Sequence, residues 1–370
     1  QLEDFPRLSS GKVDRAALQA LLGQPTRPGS APADPLARLW CEVLRLEKVA
    51  EQDDFFALGG HSLLALHFVQ QCQTRLGLRL TLAALLENPS LESLRLHLAH
   101  PGPERCWVCL QPGLSQRPPL ILFHAAGGSA LVYRELLAYV DPQLPVYALE
   151  PRGLPENPQD LREVVTHYLQ ALKALPCPPP WSLAGLSMGG CLAFEAALQM
   201  QAQGMPVAQV LMIDTWAPGH LQGDPSWRGQ LNALWWRLCS QLWVFSRRSP
   251  RQSLDFLKTR LSHLRRPSPR AKDPLVALVQ AYQPEGRLSG EIPVRFWRAW
   301  SQPTHLQALP CLGWSDWCQG QVNVHSLPGA HGEMLLKEPV LQLLGPEFAA
   351  YLDFAASISA RASRSVPTPW

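Results

Sequence analysis

Between Pro101 and Pro119 the chain holds five prolines and two glycines, and the hydrophobic rhythm differs on its two sides. Upstream, apolar residues recur at helical spacing: Leu36, Leu39, Trp40, Val43 and Leu44, then Leu63, Leu66 and Val69 with Leu64 and Phe68 beside them. A short run from Leu80 to Leu86 ends near Pro89, and Ser90 caps a last helix carrying Leu91, Leu94, Leu96 and Leu98. This predicts an all-α bundle of three to four helices over residues 34–100. Downstream, apolar runs alternate with helical stretches. The runs are Leu120–Phe123, Val146–Leu149, Trp181–Leu186, Val207–Ile213, Ile292–Trp297 and Val322–Leu327. Strands alternating with helices predict an α/β domain over 119–357, its mostly parallel sheet covered on both faces. A chain of 370 residues accommodates both.

Composition narrows the classes. Hydrophobic residues make up 46% of the chain and charged ones 17%, as in core-forming globular domains. A net charge of +3 provides no basic stripe of the kind nucleic acid requires, and no apolar run reaches the length of a membrane span. Neither partner is expected. The polar start, Gln1 to Arg15, does not have the form of a signal peptide. Nine cysteines at irregular spacing do not suggest a disulfide framework, so a cytoplasmic location is the expectation. Cys106-Trp107-Val108-Cys109 is a lone C-x-x-C without a second pair or a nearby histidine, so no metal is expected there and it is assigned to a linker over 101–118.

Residues 24–33, rich in Pro, Gly and Ser, predict another linker, and 358–370 lack periodicity and are expected to be a flexible tail. Residues 217–290 interrupt the strand–helix alternation with a mostly helical pattern holding Trp227, Trp235, Trp236, Trp243 and many arginines. This is either a helical subdomain with a solvated basic face, or a lid that walls a pocket with aromatics and meets a partner with its arginines.

Gly185-Leu186-Ser187-Met188-Gly189 has the G-x-S-x-G form and stands between a predicted strand and a predicted helix. In that context it is a nucleophile elbow, which exposes a serine at the edge of the sheet. A serine hydroxyl is a weak nucleophile and needs a base, which in turn needs an acid to orient it. Asp214 ends the apolar run Val210–Ile213, beside Ser187, and is the candidate acid. Many hydrolases of this kind place the acid one strand later, but here no acid follows that strand until Asp316, the reserve. His331, in Pro328-Gly329-Ala330-His331, is the candidate base, preferred to His325 within the strand run. The N–H of Met188 is one expected oxyanion donor, and the turn after the first strand, His124 to Gly128, should supply the other.

Ser62 opens a predicted helix behind Gly59-Gly60-His61. The glycines allow a tight turn, and the helix N-terminus favours an anionic group. The alternative is an ordinary helix-capping serine. The longer string Asp53-Asp54-Phe55-Phe56-Ala57-Leu58-Gly59-Gly60-His61-Ser62-Leu63 resembles the carrier motif of peptidyl carrier proteins in nonribosomal peptide synthetases. The resemblance implies a 4′-phosphopantetheine arm on Ser62, installed by a phosphopantetheinyl transferase. Pro6 to Arg15 resembles the last motif of an adenylation domain, with Lys12 at the lysine that contacts the acyl-adenylate. Residues 1–23 are therefore expected to be the tail of such a domain, unable to activate an amino acid, and the chain to be the C-terminal end of a larger synthetase.

Residues from Pro119 onward resemble the type I thioesterases of those synthetases, members of the α/β-hydrolase family. The resemblance rests on F-H-A-A-G-G, G-L-S-M-G-G, I-D-T-W, A-Y-Q-P and P-G-A-H together. It implies Ala126 as the second oxyanion donor and the 217–290 insertion as the family's lid. The Trp- and Arg-rich composition of that insertion departs from the pattern. The implied activity is release of an acyl or peptidyl thioester by hydrolysis or macrocyclisation, with upstream condensation and adenylation domains as partners. A free-standing or editing-type serine esterase is the alternative.

Overall fold

The computed structural model describes residues 34–220 and 274–364, apart from 79, 101–104, 156–157, 178, 303, 310, 332–333 and 336–337. The expected adenylation tail (1–23), the first linker (24–33), most of the expected lid and the last six residues lie outside the described residues. The chain divides into two compact units near Gly102.

Among the described residues, the first unit holds four helices: α1 (Pro35–Leu44), α2 (Ser62–Leu76), α3 (Leu82–Glu87) and α4 (Leu91–Ala99). Asp34 caps α1 by accepting from Leu36 and Ala37 N–H, with Pro35 supplying the fixed φ of a first turn. Thr81 caps α3, and Ser90 forms a reciprocal capping box with Ser93 at α4. The core is aromatic. Trp40 meets Phe55 and Phe68 edge-on, with ring centroids 5.1 and 5.3 Å apart, and all three are fully buried.

Among the described residues, the second unit is built on a seven-stranded sheet. Its strands are β1 (Trp107–Gln111), β2 (Leu120–Phe123), β3 (Val146–Leu149), β4 (Trp181–Leu186), β5 (Val207–Ile213), β6 (Val294–Ser301) and β7 (Val322–Ala330). The order is β1-β3-β2-β4-β5-β6-β7, parallel throughout except that β1 runs antiparallel to β3. Helices α5 (Leu161–Leu172), α6 (Met188–Ala202) and α7 (Pro274–Ala281) pack together beside the sheet, and α8 (Glu338–Arg364) packs on β5, β7 and the 3₁₀ segment Ala130–Tyr139. Helix α6 is buried on nearly all sides, which its small residues Gly189, Gly190, Ala193, Ala196 and Ala197 permit.

Two expectations are corrected. The linker assigned to 101–118 contains β1, because Trp107-Val108-Cys109-Leu110 is apolar enough to pair with the free edge of β3 despite the prolines around it. Cys106 precedes this strand and Cys109 lies on it, and both pack against the core of the second unit. The tail assigned to 358–370 is helical as far as Arg364, because its Ala-rich sequence continues α8. Among the described residues, no helix is long and apolar enough to cross a membrane and no group of three or more His, Cys, Asp or Glu could hold a metal.

Candidate active site

Four neighbouring strands each end on one polar residue. Ser187 follows β4, Asp214 follows β5, Gln302 follows β6 and His331 follows β7. Because these strands are parallel, all four residues emerge at the same edge of the sheet.

Ser187 adopts φ 55° and ψ −120°, a conformation that costs about 1–3 kcal/mol for a residue with a side chain. The surroundings hold it there. Its N–H donates to the Ile213 carbonyl at 2.9 Å. The two flanking glycines are required by contact. A methyl on Gly185 would fall on the backbone of Gly189 and Gly190, and one on Gly189 would fall on the Phe123 carbonyl. Tyr133, fully buried, fixes the root of the elbow: its hydroxyl donates to Phe123 O at 2.5 Å and accepts from Leu186 N–H at 2.9 Å. Burial raises its pKa, so it stays a donor. Tyr133→Phe orphans both backbone groups and is expected to cost about 1–3 kcal/mol of stability. Urea unfolding of the two proteins measures this, and equal midpoints would show that the bridge contributes nothing.

His331 joins the serine to the acid. Its Nε2 lies 2.8 Å from Ser187 Oγ and its Nδ1 2.8 Å from Asp214 Oδ2. With Nδ1–H donating to the carboxylate, Nε2 is left to accept the serine proton. Burial pulls the imidazole toward its neutral form, but hydrogen bonding to Asp214 and its charge outweigh this, so the pKa is raised above the ordinary 6.5. Asp214 is fully buried, and its Oδ1 accepts from Ala299 N–H at 2.8 Å and Gln302 Nε2 at 2.5 Å. The two reserve residues stand elsewhere. Asp316 is exposed in the 3₁₀ turn Trp314–Trp317. His325 stacks on Trp297 and bonds Tyr351 Oη at 2.8 Å.

Met188 is the first residue of α6, so its N–H is among those a helix leaves without an intrahelical partner. Ala126 lies in the turn after β2, rooted by the buried His124, whose Nδ1 is 3.0 Å from Ala125 O and whose Nε2 is 2.7 Å from Tyr168 Oη. Ala126, Met188, Cys191, Trp216, Val276 and Val279 line an apolar pocket that opens on Ser187 and His331. Sequence reasoning assigned no role to Tyr133, Trp216 or Gln302. Trp216 stood within the quoted I-D-T-W string, whereas Tyr133 and Gln302 carry no local signal.

In the first unit, Ser62 is the first residue of α2 and His61 holds the cap position without a side-chain capping bond. Gly59 has φ +100°, and a methyl on Gly60 would strike the Phe55 ring. The Gly59-Gly60 pair thus lets the turn lie against the aromatic core while the helix starts with its N–H groups uncapped, an arrangement that fits a phosphate at Ser62.

The family model "Thioesterase domain" matches residues 118–346, and "Phosphopantetheine attachment site" matches residues 34–98. Malpinin synthetase of Mortierella alpina is 34% identical over 228 residues, covering 58% of this chain and 3% of that protein. The dimodular nonribosomal peptide synthase of Bacillus subtilis (strain 168) is 32% identical over 228 residues, covering 59% of this chain and 10% of that one. The chain thus spans a small part of these relatives. The crystal structure of a four-domain nonribosomal peptide synthetase bound to AMP and glycine is 25% identical with a TM-score of 0.48, covering 99% of this chain and 29% of that one.

Proposed function

This chain belongs to the thioesterase domain family, and on that premise we propose that it is a carrier–thioesterase unit of a nonribosomal peptide synthetase in which Ser62 bears the acyl group and Ser187 removes it. The observation that carries the reading is the unbroken relay from Ser187 Oγ through His331 to Asp214, with both hydrogen bonds at 2.8 Å. A phosphopantetheine arm on Ser62 supplies a thiol that holds the acyl group as a thioester.

His331 Nε2 takes the Ser187 proton as Oγ attacks the thioester carbonyl. The oxyanion is received by the N–H groups of Met188 and Ala126, the first on a helix terminus and the second on the turn after β2. His331 then gives its proton to the departing sulfur, leaving the acyl group on Ser187. Asp214 keeps the imidazolium oriented throughout and is not itself protonated. In the second half, His331 deprotonates water, or an amine or hydroxyl within the acyl chain, as it attacks the acyl-serine carbonyl, and then returns that proton to Ser187 Oγ as the ester bond breaks. The apolar pocket walls favour an apolar portion next to the scissile carbonyl. The expected partners are condensation and adenylation domains and a phosphopantetheinyl transferase. We place the reaction in the cytoplasm, where free thiols such as those of the described cysteines persist.

Fluorophosphonate labelling tests the set. One adduct should form, on Ser187. Because the base must be neutral and its pKa is raised, the labelling rate should fall as pH drops through a midpoint above 6.5. Labelling on another residue, or a rate indifferent to pH, refutes the assignment.

A further inference from the structure

Gln302 has a place in the site but no part in the steps above. It follows β6, the strand between those that carry Asp214 and His331, and it is 1% exposed. Its Nε2 donates to Asp214 Oδ1 at 2.5 Å and to the Ala299 carbonyl at 3.0 Å. Its Oε1 accepts from Trp216 Nε1–H at 3.0 Å. Turning the amide over would set its oxygen against two acceptors and its NH₂ against an indole N–H, so the network fixes its orientation. Trp216 lies against His331, ring centroids 5.2 Å apart, and lines the pocket. One side chain therefore touches both the acid and the aromatic wall beside the base.

We infer that Gln302 is a positioning residue for the acyl transfer: its amide N–H holds the Asp214 carboxylate aimed at His331, and its carbonyl ties that acid to Trp216 on the pocket wall. The inference rests on the reading of Ser187, His331 and Asp214 as the catalytic set. The place calls for a neutral donor. A wholly buried carboxylate needs its lone pairs satisfied, and Gln302 supplies one of the two donors to Oδ1. A second carboxylate there would put two like charges within hydrogen-bond distance. At low pH the pair would share a proton, and the protonated acid could donate to Asp214 much as the amide does. At higher pH the pair would ionise and favour the imidazolium of His331, removing the base. Among the described residues, the charged or titratable groups facing Asp214 are His331 and Arg298. The guanidinium of Arg298 bonds the Leu309 and Gln307 carbonyls at 3.0 and 3.1 Å, and the charge of Asp214 acts on it. Arg298 is unchanged in every variant below.

The test uses the full chain, with a short acyl N-acetylcysteamine thioester as substrate and a fluorophosphonate as label, both followed from acid to alkaline pH. Gln302→Ala should lower kcat about 10- to 100-fold with little change in KM, because a hydrogen bond to a charged group is lost. Gln302→Glu should move the acid limb of the kcat/KM profile upward by about one pH unit or more. A role in folding alone would not move that limb, and thermal melts report folding separately. Trp216→Phe removes the indole donor to Gln302 and should lower kcat with the limb in place; it decides the matter if neither Gln302 variant folds. A Gln302→Glu profile superimposed on wild type, or wild-type kcat in Gln302→Ala or in a deciding Trp216→Phe, overturns the inference. Failure of the wild-type chain to label at Ser187 would instead overturn the reading beneath it.

Discussion

Ser187→Ala is expected to leave a loaded carrier undischarged, with acyl release slowed by about 10⁶-fold. The size follows from how the group acts. Ser187, His331 and Asp214 form one relay, and without Oγ the imidazole has no proton to take and the acyl group no oxygen to move to. What survives is the contribution of the oxyanion donors and of pocket binding, which act on a water that nothing positions. Loss of activity by unfolding is not expected. Alanine meets the same backbone strain at φ 55° as serine, and the Ser187 N–H bond to Ile213 is a backbone bond that the variant retains. Intact-protein mass spectrometry of the loaded chain follows the acyl mass over time. Discharge at the wild-type rate would mean that Ser187 is not the acceptor.

What was readable in the sequence was what local sterics and periodicity impose. Ser187 was readable because an exposed elbow needs small residues where α6 passes β4, and Gly185 and Gly189 stand where a methyl would meet backbone. The bundle was readable because apolar residues such as Leu36, Leu39, Trp40 and Val43 recur at helical spacing, and Ser90 marks a helix start with a side chain that bonds its own first turn. Strand β1 was hidden, since four apolar residues among prolines have the composition of a joint and only the edge of β3 makes them a strand. Strand β6 was expected to end at Trp297, but it continues to Ser301, and those last residues set Gln302 beside Asp214. The two residues are 88 positions apart. No spacing rule connects positions that far apart, so the acid's second partner became visible only when the sheet was assembled.

Ser62→Ala should abolish the second large effect, attachment of the arm. Incubated with coenzyme A and a phosphopantetheinyl transferase, the wild-type chain should gain the mass of one phosphopantetheine and the variant none. No acyl group offered through the carrier would then reach Ser187, although the variant should still take a fluorophosphonate there. The loss is expected to be complete because esterification needs a hydroxyl, and no neighbour of Ser62 supplies another. His61 precedes it and Leu63 follows, and the turn before it is glycine. The site is also electrostatically specific. The N–H groups at the start of the 15-residue helix α2 face a cap residue that makes no side-chain bond, which leaves them to a phosphodiester. Alanine preserves that helix start and removes only the oxygen. A variant that still gains the mass would move the attachment to another hydroxyl and separate the two serines that the reading joins.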